Sequence, residues 1–282
     1  MRSALGATAS WVLVLCAACG GEPVSLKDGP LPGRALQTDN GLSTNGLSTN
    51  GLSTNGFSAW FTADPAYSAM VMKYLVRCAA PAGTNLTFSA GGATYTWPGE
   101  LGLAPLWATG LPIGVAEQQL ISACLAAHTN KYGAQVSISV RGHFASGLAI
   151  PVTPTEATTY TNDEGCYFGN LFDGTGVFSA YSRSSPLVDQ SQSSLRACAL
   201  NAGQYGSCPP LQTTYYSCQS LCTGSGLEVT NAFTFTSCKW NGLNYKPLSV
   251  RLRNADIATC GDGICAASES CSTCAADCGT CR

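Results

Sequence analysis

The sequence predicts an α+β fold, in which two N-terminal helices pack on a largely antiparallel β-sheet or sandwich, with a small disulfide-rich module at the C-terminus. Three observations support this fold class. Apolar residues recur at helical spacing early in the chain, strand-like segments come later, and the chain contains 16 cysteines. Helices that precede a run of strands favour α+β over an alternating α/β architecture. A length of 282 residues suffices for one sizeable domain with small additions.

The first 18 residues are predicted to be a signal peptide. Arg2 precedes an apolar run at 11–15, and this run is too short to span a membrane. Export agrees with the cysteine content, because reducing compartments rarely hold so many cysteines without a metal. It also agrees with a charged fraction of only 11%, against about 25% in an average soluble domain.

Residues 15–19, Leu-Cys-Ala-Ala-Cys, resemble the lipobox of bacterial lipoproteins. The resemblance implies that Cys19 carries diacylglycerol and becomes the mature N-terminus, and that Gly20 directs the protein to the outer membrane. Cys16 stands where that family prefers leucine. The alternative is ordinary secretion, with cleavage after an alanine.

Residues 19–56 are predicted to form a tether. The pentapeptide Asn-Gly-Leu-Ser-Thr occurs at 40–44, 45–49 and 50–54, and the pattern breaks down from Asn55. The period resembles a pentapeptide-repeat solenoid, although glycine replaces the Asp or Asn of that family. About one coil would form, and a coil cannot bury its face without stacked neighbours. A flexible spacer that lifts the domain from the membrane is therefore favoured.

The first predicted helix begins at the N-cap Asp64, followed by Pro65 at the first helical position. One apolar stripe follows at helical spacing: Tyr67, Met70, Val71, Tyr74, Leu75 and Cys78. A second helix is predicted over about 115–130, with one face formed by Leu120, Ile121, Cys124, Leu125 and His128. Because each helix carries one cysteine on its apolar face, Cys78–Cys124 is the preferred disulfide.

The remaining elements are mostly predicted strands. A hairpin is expected from 85–90 and 93–97 around Gly91-Gly92. Residues 134–140 alternate as a half-buried strand, with Ser137 and Ser139 facing outward. Further strands are predicted at 147–154, 156–161, 165–172, 176–183, 213–218, 228–238 and 248–252, with a short helix at 189–200.

The cysteines left after signal removal and lipidation divide into two even sets, as closed disulfide sets require. The predicted domain 57–255 holds Cys78, Cys124, Cys166, Cys198, Cys208, Cys218, Cys222 and Cys238. The predicted tail module 256–282 holds Cys260, Cys265, Cys271, Cys274, Cys278 and Cys281. So small a module has almost no hydrophobic core, so that cross-links must stabilise it.

Two resemblances concern these regions. The segments 74–79 (YLVRCA), 99–105 (GELGLAP) and 122–127 (SACLAA) resemble a group of bacterial lipoproteins. That resemblance implies export and a shared domain, and it implies no activity. The last 23 residues, which begin Cys-Gly-Asp-Gly-Ile-Cys, resemble cysteine-rich tails at the ends of bacterial surface proteins.

The tail offers two candidate metal sites. The cysteines from Cys271 to Cys281 have a spacing acceptable for zinc, but disulfides are favoured in an exported protein. Asp262, Glu269 and Asp277 are candidate calcium ligands, since calcium prefers oxygen. The alternative for these three is a turn-forming aspartate and two solvated acids. No other cofactor is predicted.

Catalytic signals are weak, and neither a GxSxG nor an HExxH motif is present. Asp163, Glu164 and Asp173 are candidate carboxylates for glycoside hydrolysis, with Tyr160, Tyr167, Phe168, Trp97 and Trp107 as candidate sugar-stacking rings. Core packing is the alternative for the rings. His143 is a weak loop candidate. Cys124 and His128 also have thiol-hydrolase spacing, although packing and a disulfide are favoured.

The sequence therefore predicts a lipid-anchored envelope protein, facing the periplasm or the cell surface, with a binding or structural role. Its expected partners are the membrane, through the N-terminal lipid, and an envelope protein or glycan. A net charge of −2 argues against nucleic acid. The alternative is an exported hydrolase that acts on polysaccharide or peptide.

Overall fold

A computed structural model of the chain describes residues 55–128, 137–182, 211–224, 234–253, 270–272 and 274–281. Its α-helices are α1 (Asn55–Ala63), α2 (Pro65–Ala79), α3 (Val115–Ala127), α4 (Pro154–Thr159), α5 (Cys218–Leu221) and α6 (Ala275–Cys278), and a 3₁₀ turn spans Trp107–Thr109. Its strands are β1 (Asn85–Ala90), β2 (Ala93–Pro98), β3 (Ile138–Gly142), β4 (Asn162–Asn170), β5 (Gly176–Tyr181), β6 (Leu211–Ser217), β7 (Cys222–Thr223), β8 (Ser237–Trp240), β9 (Leu243–Tyr245) and β10 (Leu248–Leu252). The predicted α+β class is confirmed.

The central sheet has five strands in the order β3-β10-β4-β5-β6. Neighbouring strands are antiparallel except for the parallel pair β5–β6. A smaller antiparallel sheet contains β7-β8-β9, and β1 and β2 form a separate hairpin. Gly91 and Gly92 both have positive φ angles, as a two-residue turn between antiparallel strands requires.

Three apolar clusters hold these elements together. The first lies among α1, α2 and the β1–β2 hairpin. The second lies between α3 and the facing side of the central sheet, where Leu120 and Ala127 pack with Val140, Tyr167 and Val250. The third, hereafter the third core, covers the opposite side of the sheet and contains Cys166, Phe168, Phe178, Ala180, Cys218, Cys222, Phe235, Cys238 and Tyr245.

Helix α1 precedes the helix that the sequence predicts to be first. Phe57 and Phe61 on α1 are completely buried. The Phe57 ring lies edge-on to Phe88 at a centroid distance of 4.8 Å, and Phe61 makes similar contacts with Phe88 at 5.0 Å and Tyr95 at 4.8 Å. Such edge-on packing adds to the free energy gained from area burial alone. The end of the repetitive segment is thus part of the folded structure.

Helix α2 begins and ends with well-satisfied backbone groups. The Asp64 carboxylate accepts a hydrogen bond from the Tyr67 amide at 3.1 Å, as the sequence predicts for an N-cap. At the other end, the carbonyls of residues 77–80 accept hydrogen bonds from backbone amides in the segment 100–104. Gly99 permits this close approach, because a Cβ atom there would lie 2.5 Å from the Pro81 carbonyl oxygen.

Two predicted strands are wrong. The predicted strand at 147–154 is absent, apart from an isolated bridge between His143 and Ala149. Most of the predicted strand at 156–161 lies in helix α4 instead. The Thr153 hydroxyl accepts a hydrogen bond from the Glu156 amide, and a proline follows at the first helical position. These start signals outweigh the strand preference of a threonine-rich segment.

Strand β3 differs from its prediction in burial. Both sides of β3 are covered, so that Ser139 and Arg141 are buried instead of facing solvent.

Residues 129–136, 183–210, 225–233 and 254–269 lie outside the described residues. So do the predicted helix at 189–200 and most of the predicted strand at 228–238.

All ten cysteines in the described ranges are disulfide-bonded. The preferred pair Cys78–Cys124 is present, with Cα atoms 6.1 Å apart. The other pairs within these ranges are Cys166–Cys218, Cys222–Cys238 and Cys271–Cys281. Four more predicted disulfide cysteines fall outside the described residues: Cys198, Cys208, Cys260 and Cys265.

Among the helices that the structure describes, none combines the length and the apolarity that crossing a membrane requires.

Candidate functional site

A surface cavity of about 330 Å³ opens between the end of α2, strand β3 and helix α4. Its apolar lining consists of Leu101, Ile138, Val140, Ile150 and Pro151. Its polar lining consists of Arg77, Glu100, His128, Ser137, Glu156 and Tyr160. The volume lies at the lower end of the range of about 300–1,000 Å³ that is typical of small-molecule sites. The lining thus contains both apolar side chains and polar groups that a ligand can contact.

Helix α4 places Glu156 and Tyr160 on the cavity, one helical turn apart. Glu156 Oε1 accepts a 2.7 Å hydrogen bond from the Ser139 hydroxyl. The same hydroxyl oxygen accepts a 2.7 Å hydrogen bond from Arg141 Nε. Arg141 is only 1% exposed and Ser139 only 2%. A buried guanidinium therefore orients a hydroxyl, and the hydroxyl orients a carboxylate at the cavity wall.

A second carboxylate on the cavity is already paired. Arg77, in the last turn of α2, donates from Nη2 to Glu100 Oε1 at 3.1 Å, and its Nε contacts Glu100 Oε2. This bidentate arrangement occupies both oxygens of Glu100. Within the described ranges, no residue bonds to Glu156 Oε2 or to the Tyr160 hydroxyl. Those two atoms are polar groups that a ligand can engage.

His128 and Cys124 lie beside the cavity but do not form a thiol-hydrolase pair. His128 Nδ1 is 2.8 Å from the Cys124 carbonyl oxygen and 4.0 Å from Cys124 Sγ. Cys124 is bonded to Cys78 and is completely buried. The oxidised sulfur has no thiolate to act as a nucleophile.

The other candidate catalytic residues, Asp163, Glu164, Asp173 and His143, do not line this cavity. Asp163 forms a 2.9 Å ion pair with Arg251, and Glu164 is only 1% exposed within β4. His143 forms the short bridge to Ala149. Asp173 shapes the turn after β4 by accepting hydrogen bonds from the Thr175 amide and hydroxyl. These four residues therefore lie outside the cavity lining.

The predicted sugar-stacking rings separate into two groups. Tyr160 lines the cavity. The other four are buried in the apolar clusters: Trp97, Trp107, Tyr167 and Phe168. Core packing thus accounts for those four rings, and Tyr160 alone among them is placed to meet a ligand.

The remaining predicted sites lie largely outside the described residues. Cys19, Asp262 and Glu269 are not described, and Asp277 lies in α6 with Oδ2 3.2 Å from Cys274 Sγ. The calcium site therefore stays a prediction. Each cysteine of the candidate zinc set in the tail is disulfide-bonded, including the pair Cys271–Cys281.

Sequence reasoning named Tyr160 and His128 as candidates but missed three other polar residues of the cavity wall, Arg77, Glu100 and Glu156. Glu156 and Tyr160 share a helix that begins at Thr153-Pro154, with a glutamate three residues after the threonine. This capping signal is readable in the sequence and predicts the helix face. The ion pair between Arg77 and Glu100 has no such signal, because it depends on how the segment after β2 returns to α2.

Comparison with known proteins gives one family match. The model of the GLTT repeat (6 copies) matches residues 38–60. The match covers the three pentapeptides and continues into α1, which ends at Ala63. No curated protein matches the chain, and no solved structure matches it. The chain thus carries a short repeat segment that leads directly into a disulfide-bonded α+β fold.

Proposed function

We propose that the protein is exported, is held in the bacterial envelope by a lipid on Cys19, and binds a small neutral glycan in the cavity beside α4. The observation that carries this proposal is the polar wall of the cavity. Glu156 is oriented there by buried residues while Oε2 remains available, and Tyr160 and several apolar side chains line the same cavity.

The cysteines support export. All ten cysteines of the described ranges are bonded, and they join elements far apart in sequence, such as β4 and α5. Disulfides persist in oxidising compartments and are rare in reducing ones. The repeat segment supports a spacer role, because it precedes the fold and runs into α1.

The chemistry of the lining supports a sugar. A pyranose ring has an apolar CH face and a polar edge of hydroxyl groups. Leu101, Ile138 and Pro151 offer apolar surface, and Glu156 Oε2 and the Tyr160 hydroxyl offer polar partners. Two carboxylates against one guanidinium give the lining no excess positive charge, which disfavours phosphorylated ligands.

A titration of the purified mature protein with neutral mono- and oligosaccharides, followed by NMR, tests the proposal. Glu156→Gln is expected to weaken binding about tenfold or more, since a charged hydrogen bond contributes about 1.5–3 kcal/mol. Thr155→Ala is the matched control on the same helix, because Thr155 is exposed and does not line the cavity. Equal affinity of the parent and Glu156→Gln, or no sugar-dependent shifts at cavity residues, would contradict it.

One observation favours the second candidate, an exported hydrolase. A carboxylate held by a hydroxyl and a buried guanidinium resembles the supported acids and bases of enzymes. Incubation of the same sugars and of peptides with the protein separates the two proposals. Product formation that is lost in Glu156→Gln and kept in Thr155→Ala would replace the binding proposal with the hydrolase.

A further inference from the structure

Two disulfides meet in the third core. Cys166 on β4 is bonded to Cys218 at the start of α5, and Cys222 on β7 is bonded to Cys238 on β8. The sulfur atoms of Cys166 and Cys222 are 3.7 Å apart. The sulfurs of Cys166, Cys222 and Cys238 all lie within 4.8 Å of one another, and Cys218 joins them through its bond to Cys166.

The spacing of the Cys166, Cys222 and Cys238 sulfurs is compatible with three ligands of a tetrathiolate metal site, and Cys218, bonded to Cys166, is the candidate fourth ligand. Zinc–sulfur bonds of about 2.3 Å in a tetrahedron place neighbouring sulfurs about 3.8 Å apart. The contact between Cys166 and Cys222 already has this length. If the two disulfides are reduced, the bonded sulfurs need to separate by about 2 Å to complete the tetrahedron, which side-chain rotation can supply.

The backbone that carries these cysteines is fixed by other interactions. Strand β4 is hydrogen-bonded on both sides, to β10 and to β5. Strands β7 and β8 pair with Cys222 directly opposite Cys238. Cys218 follows the helix cap Ser217, whose hydroxyl accepts a hydrogen bond from the Ser220 amide. These interactions are expected to keep the four cysteine side chains close to one another when the disulfides are reduced.

The surroundings exclude water. All four cysteines are buried, and the rings of Phe168, Phe178 and Tyr245 belong to the same core. Thiolate sulfur selects soft or borderline cations such as Zn²⁺ over calcium and magnesium. The three sulfurs on paired strands, with Cys218 at the start of α5 as the fourth, thus have the ligand number and the chemistry of a structural zinc site.

We propose that the reduced form of these four cysteines binds one Zn²⁺ as a tetrathiolate, in place of the two disulfides. Each disulfide takes two electrons and two protons from one dithiol, which becomes a disulfide itself. The four thiols then lose four protons as they bind the cation. The inference goes beyond the proposed function and does not depend on the cavity. It gives the chain a second way to close the third core when its disulfides are reduced.

A second sulfur group serves as an internal comparison. Cys78, Cys124 and His128 also lie within 4.8 Å of one another. This group has two sulfurs instead of four, and His128 Nδ1 is 2.8 Å from the Cys124 carbonyl oxygen. It lacks the fourth ligand of a closed structural site among the described residues. We therefore expect no comparable zinc affinity there.

The test uses the unmodified full-length mature chain. The protein is unfolded, reduced with a phosphine, refolded with or without Zn²⁺, and treated with iodoacetamide, and peptide mass spectrometry then follows the alkylation of each cysteine. Zinc at about ten times its dissociation constant is expected to slow alkylation of the four cysteines about tenfold. Zinc is expected to leave the alkylation rates of Cys78 and Cys124 nearly unchanged. Equal rates at the four cysteines with and without zinc would overturn the proposal.

Cobalt binding with variants gives a second readout. Tetrahedral cobalt thiolates have visible bands that report ligand number and type. Cys222→Ser/Cys238→Ser is expected to lose one equivalent of this spectrum. The controls Cys78→Ser/Cys124→Ser and Cys271→Ser/Cys281→Ser are expected to keep it. A spectrum that disappears only with the tail cysteines would assign the metal to the tail and contradict the inference.

Discussion

At the scale of single residues, one hydroxyl connects the interior of the sheet with the cavity. Ser139 accepts from Arg141 and donates to Glu156, at 2.7 Å in both bonds. Removing this hydroxyl leaves two charged groups without a shared partner, one of them buried. Such a loss costs about 1.5–3 kcal/mol.

Ser139→Ala is therefore expected to lower the free energy of unfolding by about 1.5–3 kcal/mol in urea denaturation. Ser249→Ala is the matched control. Ser249 lies opposite Arg141 on the adjacent strand β10, and its buried hydroxyl has no hydrogen-bond partner in the described residues. Its removal is expected to be neutral. Equal losses for both variants would show that the Ser139 bonds do not stabilise the fold.

Gly169 and Gly174 give a second comparison at this scale. Both have positive φ angles, at +131° and +77°, and both lie in the β4–β5 hairpin. A Cβ atom on Gly169 would lie 2.2 Å from the Gly176 carbonyl oxygen, whereas a Cβ atom on Gly174 meets nothing within 4 Å. Crowding against backbone therefore separates two sites with similar backbone strain.

We expect Gly169→Ala to destabilise the protein by about 3 kcal/mol or more, through overpacking added to strain. Gly174→Ala is expected to cost about 1–2 kcal/mol, from strain alone. The measurement is urea denaturation, in which a shift of the midpoint at unchanged m-value reports the change in the free energy of unfolding. A Gly169→Ala variant as stable as Gly174→Ala would mean that β4 and β5 separate more easily than their pairing implies.

The burial of a single residue can be predicted from the sequence where helical periodicity places the residue on an apolar face. Cys78 and Cys124 were predictable partners, because helical spacing places both on apolar faces. The burial of Ser139 was not predictable. Alternation along a strand separates its two faces but does not show that both faces are covered. Glu156 was missed for a different reason, since its segment is rich in threonine and suggests a strand.

At the scale of elements, α1 connects the repeat segment to the fold. The family match ends within this helix, and Phe57 follows the repeat leucines at the same five-residue period. A leucine position of the repeat thus becomes a buried core position. The sequence predicts the first helix later, at Asp64, because the change from repeat to helix is marked by two phenylalanines rather than by a cap.

Phe61→Ala is expected to lower the free energy of unfolding by about 3–5 kcal/mol, because it empties the centre of an aromatic cluster. Thr62 on the same helix is exposed, and Thr62→Ala is expected to leave the free energy of unfolding nearly unchanged. Deletion of residues 40–54 is also expected to leave the urea midpoint unchanged, as a spacer requires. A deletion that destabilises as much as Phe61→Ala would contradict the spacer role.

The bond between Cys78 and Cys124 joins the ends of α2 and α3 across a separation of 46 residues. Loop-closure entropy for this length predicts that Cys78→Ser/Cys124→Ser loses about 4 kcal/mol. Thermal or urea unfolding of the oxidised protein measures the loss. Cys271→Ser/Cys281→Ser, which opens a bridge of separation 10 in the tail, should leave the main transition unchanged. A stable Cys78→Ser/Cys124→Ser protein would remove the disulfide from the account of stability.

At the scale of the whole molecule, cross-links and cores are distributed together. One disulfide joins the two long helices, and two more lie in the third core between the central and the small sheet. The α+β class and the disulfide bonding of the cysteines were predictable, because they follow from element order and cysteine count, whereas Cys78–Cys124 is the one pairing that the sequence favoured. The order of the central strands was not, because β10 inserts between β3 and β4 from the far end of the chain.

The central claim is that the chain matures in an oxidising compartment, where disulfides take over part of the stabilisation of its small cores. Peptide mapping of the protein isolated from cell envelopes, with free thiols blocked before lysis, tests this claim most directly. The account predicts linked peptides for Cys78–Cys124, Cys166–Cys218, Cys222–Cys238 and Cys271–Cys281, and a diacylglyceryl group on Cys19. Blocked thiols at Cys78 and Cys124, on a chain that retains residues 1–18, would contradict it.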